Sequence, residues 1–432
     1  MLDIKFIREN LDLVKAGARR KLVDVDVDHL VSLDDRRKTL RTEWEQLRAQ
    51  QKVESKGVPS LQGEEKQALL QKLNGMSERL SELEPEVKQI EADLHEGLLR
   101  VPNVPSAEAP DGRDDSENVE LRTVGEIPRF DFPVRDHVEL SEMLDVVDFS
   151  RAARVSGSRM YYLKNEGVLL ELALMQLALD LIVKKGFEPY LPPYLVKRDA
   201  MVGTAYFPGG EEQAYCLEKD ELYLIGTSEV PITSLHAGEI LSHRDLPLRY
   251  AGFSACFRRE AGTYGKDTRG LYRMHQFHKV EQVVVCEADP EVSAREHASI
   301  LSNAEELLQM LELPYRVVDV CTGELGLGQV RKYDIEVWMP SRGAYGETHS
   351  ASAFHDYQSR RLSLRYRSKD GEVTFAHTLN NTVVASPRIL IPLLELNQCE
   401  DGSVRIPGAL RPFMGGREWI PPRRKPVESA RS

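Results

Sequence analysis

The feature that most restricts this chain is an apolar series at steps of four and three: Leu69, Leu73, Met76, Leu80, Leu83, Val87, Ile90, Leu94 and Leu98. Such spacing puts one side chain per turn on a single seam of an α-helix, and that seam needs a partner along its length. Upstream, Leu30, Leu33, Leu40, Trp44 and Leu47, with Arg37 in the same register, supply one. Between the two lies Gly57-Val58-Pro59-Ser60-Leu61-Gln62-Gly63, whose residues suit a chain reversal, so an antiparallel helical hairpin is predicted over about 30–100. At a rise of roughly 1.5 Å per residue, Lys66 to Leu98 extends about 50 Å, more than the width of a small domain. The hairpin is therefore expected to form a long coiled-coil arm. Pro85 falls off the seam, where it removes one hydrogen bond and is expected to kink the second helix.

Charge divides the two helices unequally. Arg36, Arg37, Lys38, Arg41, Arg48, Lys52 and Lys56 load the first, whereas Glu78, Glu82, Glu84, Glu86, Glu91 and Asp93 load the second. A solvated, salt-bridged hairpin or a dimerising coiled coil accounts for this pattern, and so does an arm that contacts a phosphate backbone. The chain as a whole holds 57 basic and 69 acidic side chains, a net charge of -12, so any nucleic-acid contact must be local.

With 432 residues, 41% of them hydrophobic, the chain has material for two or three domains, which excludes disorder throughout. Met1 to Asn10 lacks a basic start followed by an apolar run, and Glu171, Gln176 and Asp180 interrupt the most apolar stretch, Val168 to Val183. Neither secretion nor membrane spanning is expected. Cys216, Cys256, Cys286, Cys321 and Cys399 form an odd set without a C-x-x-C pair, which points to a reduced, cytoplasmic chain with no thiolate zinc site.

Val101 to Gly112 mixes Pro with polar residues and has no period, marking a linker over 104–118 between an N-terminal domain, 1–103, and a second domain, 119–432. The second domain alternates helical patterns, Glu166 to Lys184 and Val292 to Leu311, with strand-like runs. The runs are Leu222 to Ile225, Phe253 to Arg258, Gln276 to Cys286, Tyr315 to Val320, Asp334 to Met339 and Arg361 to Arg367. Several of these join through turns too short for crossover helices, so the expected class is α+β with an antiparallel sheet flanked by helices.

Phe253 to Val285 carries the densest chemistry. Read as two strands joined by the loop Ala261 to Leu271, it puts Arg273, His275, Phe277 and Glu281 on one face, and Arg258 with Glu260 on one face of the earlier strand. A solvated outer face would look like this. A floor for a flat anionic ligand would too, with Phe277 stacking a ring and the arginines holding phosphate or carboxylate.

FRREAGTYGKDTRGLYRMHQFHKVE, Phe257 to Glu281, resembles motif 2 of the class II aminoacyl-tRNA synthetases, specifically the seryl-tRNA synthetases. GTSEVP (Gly226 to Pro231), GETHSASAFHDYQSRR (Gly346 to Arg361) and TLNNTVVASPRIL (Thr378 to Leu390, resembling motif 3) are also similar to that family. Gly186 to Pro193 is a weaker match to motif 1. The hairpin-first order matches as well, so the resemblance covers essentially the whole chain. In place of a glycine-rich motif 3 stands Asn380 to Arg388, a variant that keeps the Asn, the Thr and the Arg; there Ser386 and Pro387 read as helix N-cap and first helical residue.

The resemblance implies a ligase that joins serine to tRNA. It implies Arg258, Arg388 and Glu281 as the catalytic set. The implied ATP contacts are Arg258, Arg259, Glu260, Arg273, Met274, Phe277, Glu347, Thr348, His349, Ser350 and Arg388. For serine they are Thr227, Ser228, Glu229, Arg258, Glu281, Asn380 and Thr382, and Glu347 with Ser350 for Mg2+. On the arm, Arg36, Arg37, Lys38, Arg41, Arg48 and Lys52 are the implied contacts to the long variable arm of serine tRNA. The same resemblance implies a homodimer, and tRNA(Sec) as a further substrate where it is present. An arm-bearing paralogue that charges a carrier protein and a non-catalytic coiled-coil protein are the competing classes.

Two signals are set aside. Gly323 to Gly328 matches no phosphate-loop spacing, and His275 and His278, three apart on a strand, face opposite sides. Zinc is not expected. Arg423-Arg424-Lys425 reads as a solvated tail.

Overall fold

The computed structural model describes residues 1–262 and 269–423 and divides into two compact units, Met1–Val104 and the remainder from Pro105. Residues 263–268 of the motif 2 loop, and Arg424 and Lys425 of the expected tail, lie outside the described residues.

The first unit is helical: α1 (Ile4–Glu9), α2 (Leu11–Arg20), α3 (Val27–Ser55) and α4 (Gly63–Arg100). Asp26 starts α3 by accepting the His29 N–H at 2.9 Å, which satisfies one orphan donor of the first turn. Every seam position from Leu69 to Leu98 is buried or half-buried, as are Leu30, Leu33, Arg37, Leu40, Trp44 and Leu47 on α3. Pairs such as Arg41–Glu91 at 2.8 Å and Arg79–Glu43 at 2.9 Å join the helices outside the seam. Helix α4 continues through Pro85, which is exposed. Asp34 is fully buried at the base of the hairpin and pairs with Arg8 of α1 at 2.7 Å, Arg37 at 2.8 Å and Lys38 at 2.9 Å.

The second unit is built on an eight-stranded sheet. Its strands are β1 (Val119–Val124), β2 (Glu188–Tyr190), β3 (Leu248–Phe257), β4 (Gln276–Cys286), β5 (Tyr315–Asp319), β6 (Arg331–Met339), β7 (Ala344–His355) and β8 (His377–Ser386). The spatial order is β1-β5-β6-β7-β8-β4-β3-β2. Neighbours are antiparallel except β2 and β3, which run parallel, so the sheet is mixed at that edge. The long chain between these two strands permits that crossover.

Helices α5 (Glu166–Lys184) and α6 (Pro290–Met310) pack on this sheet. Leu170, Leu174 and Leu181 of α5 and Ile300, Ala304 and Leu307 of α6 meet Val280 and Val284 of β4 in the main core. Since side chains alternate along a strand, burying Val280 and Val284 leaves Phe277, Lys279 and Glu281 to the other face.

Three local expectations are corrected. Arg361 to Arg367 is not one strand: a helix over Tyr357–Leu362 ends at Ser363 in the left-handed region (φ 54), and only Arg365–Arg367 is extended. The motif 3 helix spans Leu390–Leu396 with Ile389 at its N-cap, so Ser386 ends β8 and Pro387 precedes the helix. Pro392 then stands third in that helix, within the first turn, where a missing N–H breaks no intrahelical bond. At the tail, Arg423 is anchored, its side chain donating to Glu166 at 2.8 Å and its N–H to the Met143 carbonyl at 2.8 Å. Residues 105–118 are also tied down within the second unit: Ser106 N–H donates to Val330 O at 2.8 Å, and Thr322 N–H to Pro110 O at 2.9 Å.

Candidate active site

On the face opposite α5 and α6, the sheet floors a concave cleft that is partly open to solvent, the setting in which small molecules bind. Phe277, Lys279 and Glu281 enter it from β4, and Asn380 and Thr382 from β8. Glu347, Thr348, Ser350 and Ser352 enter from β7. Two register shifts shape the floor. One, beside Thr348, brings Glu347 to the same face as Ser350 and Ser352; the other places Thr382 opposite Glu281.

Arg258 and Glu260 lie beyond the end of β3, and Glu260 has a left-handed backbone (φ 51). Arg273 and Met274 precede β4. These residues reach the cleft from loops, so the expectation that they alternate along two strands is corrected. His275 leaves the face altogether, its ring bonded to Arg258 O at 2.9 Å.

Cationic groups cluster at one end. Arg258 donates through Nε to Gly226 O at 3.2 Å and lies 5.2 Å from the centre of the Phe277 ring; its terminal nitrogens have no partner among the described residues. Arg388 donates to Tyr272 O at 3.2 Å and Glu347 O at 3.0 Å, and its guanidinium lies 4.5 Å from the Tyr272 ring centre. Burial works against ionisation of Glu347, but Arg388, Lys332, Arg258 and Arg273 outweigh it and hold the carboxyl below its ordinary pKa. Arg273 pairs with Glu260 at 3.5 Å.

At the other end the polar groups are more enclosed. Glu281 pairs with Lys279 at 2.5 Å and accepts from Asn380 at 3.1 Å. Glu229, 4% exposed, accepts from Tyr206 Oη at 3.0 Å and Gln358 Nε2 at 2.8 Å. Burial, reinforced by the nearby charge of Glu281, pushes the Glu229 pKa up to about 7. Gln358 is itself fixed by Thr378 Oγ1 at 2.6 Å, so the orientation of Glu229 is set from behind.

The sequence and the fold are matched in known proteins. A family model described as the seryl-tRNA synthetase N-terminal domain matches residues 1–105, and one for the class II tRNA synthetase core domain (G, H, P, S and T) matches 215–397. A serine–tRNA ligase of Deinococcus radiodurans is 52% identical over 420 residues, 97% of this chain and 99% of its own. The chain belongs to the seryl-tRNA synthetases. The crystal structure of the Pyrococcus horikoshii seryl-tRNA synthetase complexed with ATP superposes with a TM-score of 0.90 at 42% identity, over 98% of this chain and 100% of its own. The cytoplasmic serine–tRNA ligase of Naegleria fowleri in complex with AMP has a TM-score of 0.86 at 31% identity, covering 98% of this chain and 99% of its own. Membership makes the chain an aminoacyl-tRNA synthetase, an ATP-dependent ligase.

Not every residue implied by the seryl-tRNA synthetase resemblance reaches the cleft. His349 points away from it, fully enclosed between Thr348 Oγ1 at 2.7 Å and Val383 O at 2.9 Å, and burial lowers its pKa to about 4. Ser228 donates to Gly252 O at 3.0 Å, and a Cβ at Gly252 would meet that hydroxyl at 2.6 Å. Thr227 Oγ1 accepts the Glu229 N–H at 3.2 Å, an arrangement that shapes the turn beneath Glu229. Arg259 is absent from the lining, its N–H donating to Gln213 O at 2.9 Å.

Tyr206, Tyr272, Lys279 and Gln329 also line the cleft, beyond the residues that the resemblance implies. Lys279 is legible in the sequence, since it stands between Phe277 and Glu281 on the same strand alternation. Tyr206 and Gln329 come from loops with no pattern to mark them.

On the arm, Arg36 pairs with Glu86, Arg41 with Glu45 and Glu91, and Arg37 and Lys38 with Asp34. Arg48 lies 4.7 Å from the Trp44 ring centre. The pairs of Arg36 and Arg41 are exposed and screened by solvent, whereas those of Arg37 and Lys38 are made to the buried Asp34.

No helix among the described residues is long and apolar enough to cross a membrane. Among them, no cluster of three or more His, Cys, Asp or Glu side chains is arranged to hold a metal ion. Glu347 and Ser350 present only oxygen donors on one face, a set that fits a hard cation completed by phosphate and water.

Proposed function

We propose that this cleft activates L-serine with ATP to seryl-adenylate and pyrophosphate, and that the seryl group then passes to the 3'-hydroxyl of tRNA(Ser), and of tRNA(Sec) where it is present. The observation that carries the reading is the opposition of two ends in one cleft. Arg258, whose terminal nitrogens have no partner among the described residues, lies beside Phe277 and faces a small enclosed pocket of Glu281, Thr382 and Glu229.

The serine carboxylate is ionised at neutral pH, so its attack on the α-phosphate needs no general base. Positioning and charge neutralisation remain. Arg258 holds the carboxylate and α-phosphate together, and Arg388 receives the γ-phosphate. Phe277 and Met274 pack on adenine, while Glu260 accepts from its amino group. Arg273, paired with Glu260, supports the same end. Glu347 and Ser350, next to Thr348, are the residues that would hold Mg2+, which supplies charge neutralisation on the phosphates.

Serine differs from alanine by one hydroxyl, and a buried pair that bonds this hydroxyl loses heavily when it is missing. Glu281 and Thr382, with Asn380 bonded to Glu281, make that pair. Glu229 receives the ammonium group, with Thr227 and Ser228 holding its turn.

For the tRNA, the basic residues of α3, Arg36, Arg37, Lys38, Arg41, Arg48 and Lys52, support recognition of the variable arm by shape and backbone. For the homodimer, α5 leaves Val168, Leu172 and Val183 exposed, and Leu191 beyond it is 74% exposed. A cytoplasmic location follows from tRNA as substrate. Amino-acid-dependent ATP/pyrophosphate exchange across the twenty amino acids tests the reading: serine alone should support exchange, and no exchange with serine would overturn it.

A further inference from the structure

Glu171 stands on α5 among Leu170, Leu174 and Met175 and is 5% exposed. A carboxylate in such a position is costly unless both oxygens are bonded, and an apolar residue of similar volume would pack at least as well. Packing therefore does not explain it. Its Oε1 lies 2.5 Å from His278 Nδ1, and its Oε2 accepts from Ser386 Oγ at 2.5 Å. His278 and Ser386 face each other across β4 and β8 and form the final rung of that ladder.

Beyond this rung the two strands part. Strand β8 ends and leads through Pro387 to Arg388, while β4 runs back through Phe277 toward Met274. Ala385, Ser386, Pro387, Arg388, Phe277 and Met274 all line the cleft. One buried carboxylate thus fastens the point from which both walls of the proposed nucleotide site diverge.

We infer that Glu171 is a positioning residue for the nucleotide: by holding His278 and Ser386 together, it sets the separation between the Phe277 wall and the Arg388 guanidinium. The role rests on the cleft being the ATP site, as proposed above. Glu171 lines no part of that cleft and touches no substrate. Its loss therefore acts on nucleotide affinity through the two strands, while the serine pocket, held separately by Gln358, Asn380 and Lys279, is unaffected.

The test uses the full chain in serine-dependent exchange, with Michaelis constants for ATP and serine and a thermal midpoint for each variant. Glu171→Met should raise the ATP constant about tenfold, the effect of losing one hydrogen bond to a charged group, and leave the serine constant unchanged. Glu171→Gln keeps the shape and a bond to Ser386 and should recover most of the affinity. Ser386→Ala should shift ATP in the same direction, and adding it to Glu171→Met should cost less than the sum of the two, because both act on one contact. An unchanged ATP constant in Ser386→Ala and Glu171→Met overturns the role. So does an equal rise for ATP and serine accompanied by a lower thermal midpoint. Should Glu171→Met fail to fold, Glu171→Gln and Ser386→Ala decide alone. Wild-type exchange with serine separates the two proposals: if it is present and these variants are inert, only the positioning role falls.

Discussion

Glu281 on β4 faces Thr382 on β8 across one rung, and the threonine hydroxyl donates to its Oε2 at 3.3 Å. The other carboxylate oxygen accepts from Asn380 at 3.1 Å, so the orientation of Glu281 is fixed before any ligand arrives. Thr382→Val keeps the shape and deletes the hydroxyl. Its kcat/KM for serine should fall roughly 5- to 30-fold, the cost of about one to two kcal/mol of lost hydrogen bonding, while the Michaelis constant for ATP stays put. A parallel loss for ATP in exchange kinetics would place the damage elsewhere.

Phe277 offers its ring beside Arg258, 5.2 Å from the guanidinium carbon. Base-on-aromatic stacking contributes about 1–3 kcal/mol, so Phe277→Ala should raise the ATP constant about tenfold or more, and Phe277→Tyr should not. An unchanged value for the alanine variant removes the stacking role.

The hairpin was legible because its apolar residues recur at helical spacing, and β4 because it ends in the β-branched run Val283 to Val285, both local properties of sequence. The stretch 361–367 shows the limit. Leu362, Leu364 and Tyr366 alternate as in a strand and are all buried, yet Leu362 ends a short helix, because a left-handed residue at Ser363 lets one chain direction serve two elements. The site divides along the same line. Phe277 and Glu281 share a face by alternation, whereas Arg258, Glu260 and Arg273 reach the cleft from loops, which no period describes. Gln358 and Glu171, which act from behind, come from distant elements and have no signal of their own.

Each unit has buried side chains of its own, Leu83, Ile90 and Leu94 in the first and the α5–α6 layer in the second. Removing Val31 to Leu98 should therefore leave serine-dependent exchange largely intact while aminoacylation falls roughly 100-fold or more, as loss of several phosphate contacts does. Loss of exchange in a variant whose second unit remains folded would contradict that division of labour.

Asp34 offers an acid test of the arm's base. Burial alone would raise its pKa, but the bonds from Lys38, Arg37 and Arg8 outweigh this and lower it to about 2. The unfolded value is about 3.9, so the stabilisation is complete above that pH and is lost as pH falls toward the folded value. Trp44 fluorescence in a background lacking Trp338 and Trp419 should show the first unit's thermal midpoint dropping between about pH 4 and pH 2. Asp34→Asn should lower the midpoint at neutral pH and flatten that dependence; an unflattened curve would assign the acid sensitivity to other carboxylates.

Glu229 predicts a pH effect on catalysis with a definite sign. Its pKa of about 7 arises from burial and from the neighbouring Glu281, against the opposing bonds of Gln358 and Tyr206 and the charge of Lys279. Below that value the free enzyme holds Glu229 neutral, and a neutral carboxyl attracts the serine ammonium weakly. As pH rises through about 7 the carboxylate forms, and kcat/KM for serine should climb. Once serine is bound, its ammonium supplies the missing counter-charge and lowers the Glu229 pKa, so kcat at saturating serine should show the inflection shifted to lower pH or not at all. Measurements at saturating ATP keep nucleotide titration out of the profile. Glu229→Gln should lower kcat/KM for serine and remove the inflection, because an amide has no proton to lose in this range. If the inflection persists in that variant, the titrating group is another one, and Glu229 does not hold the ammonium.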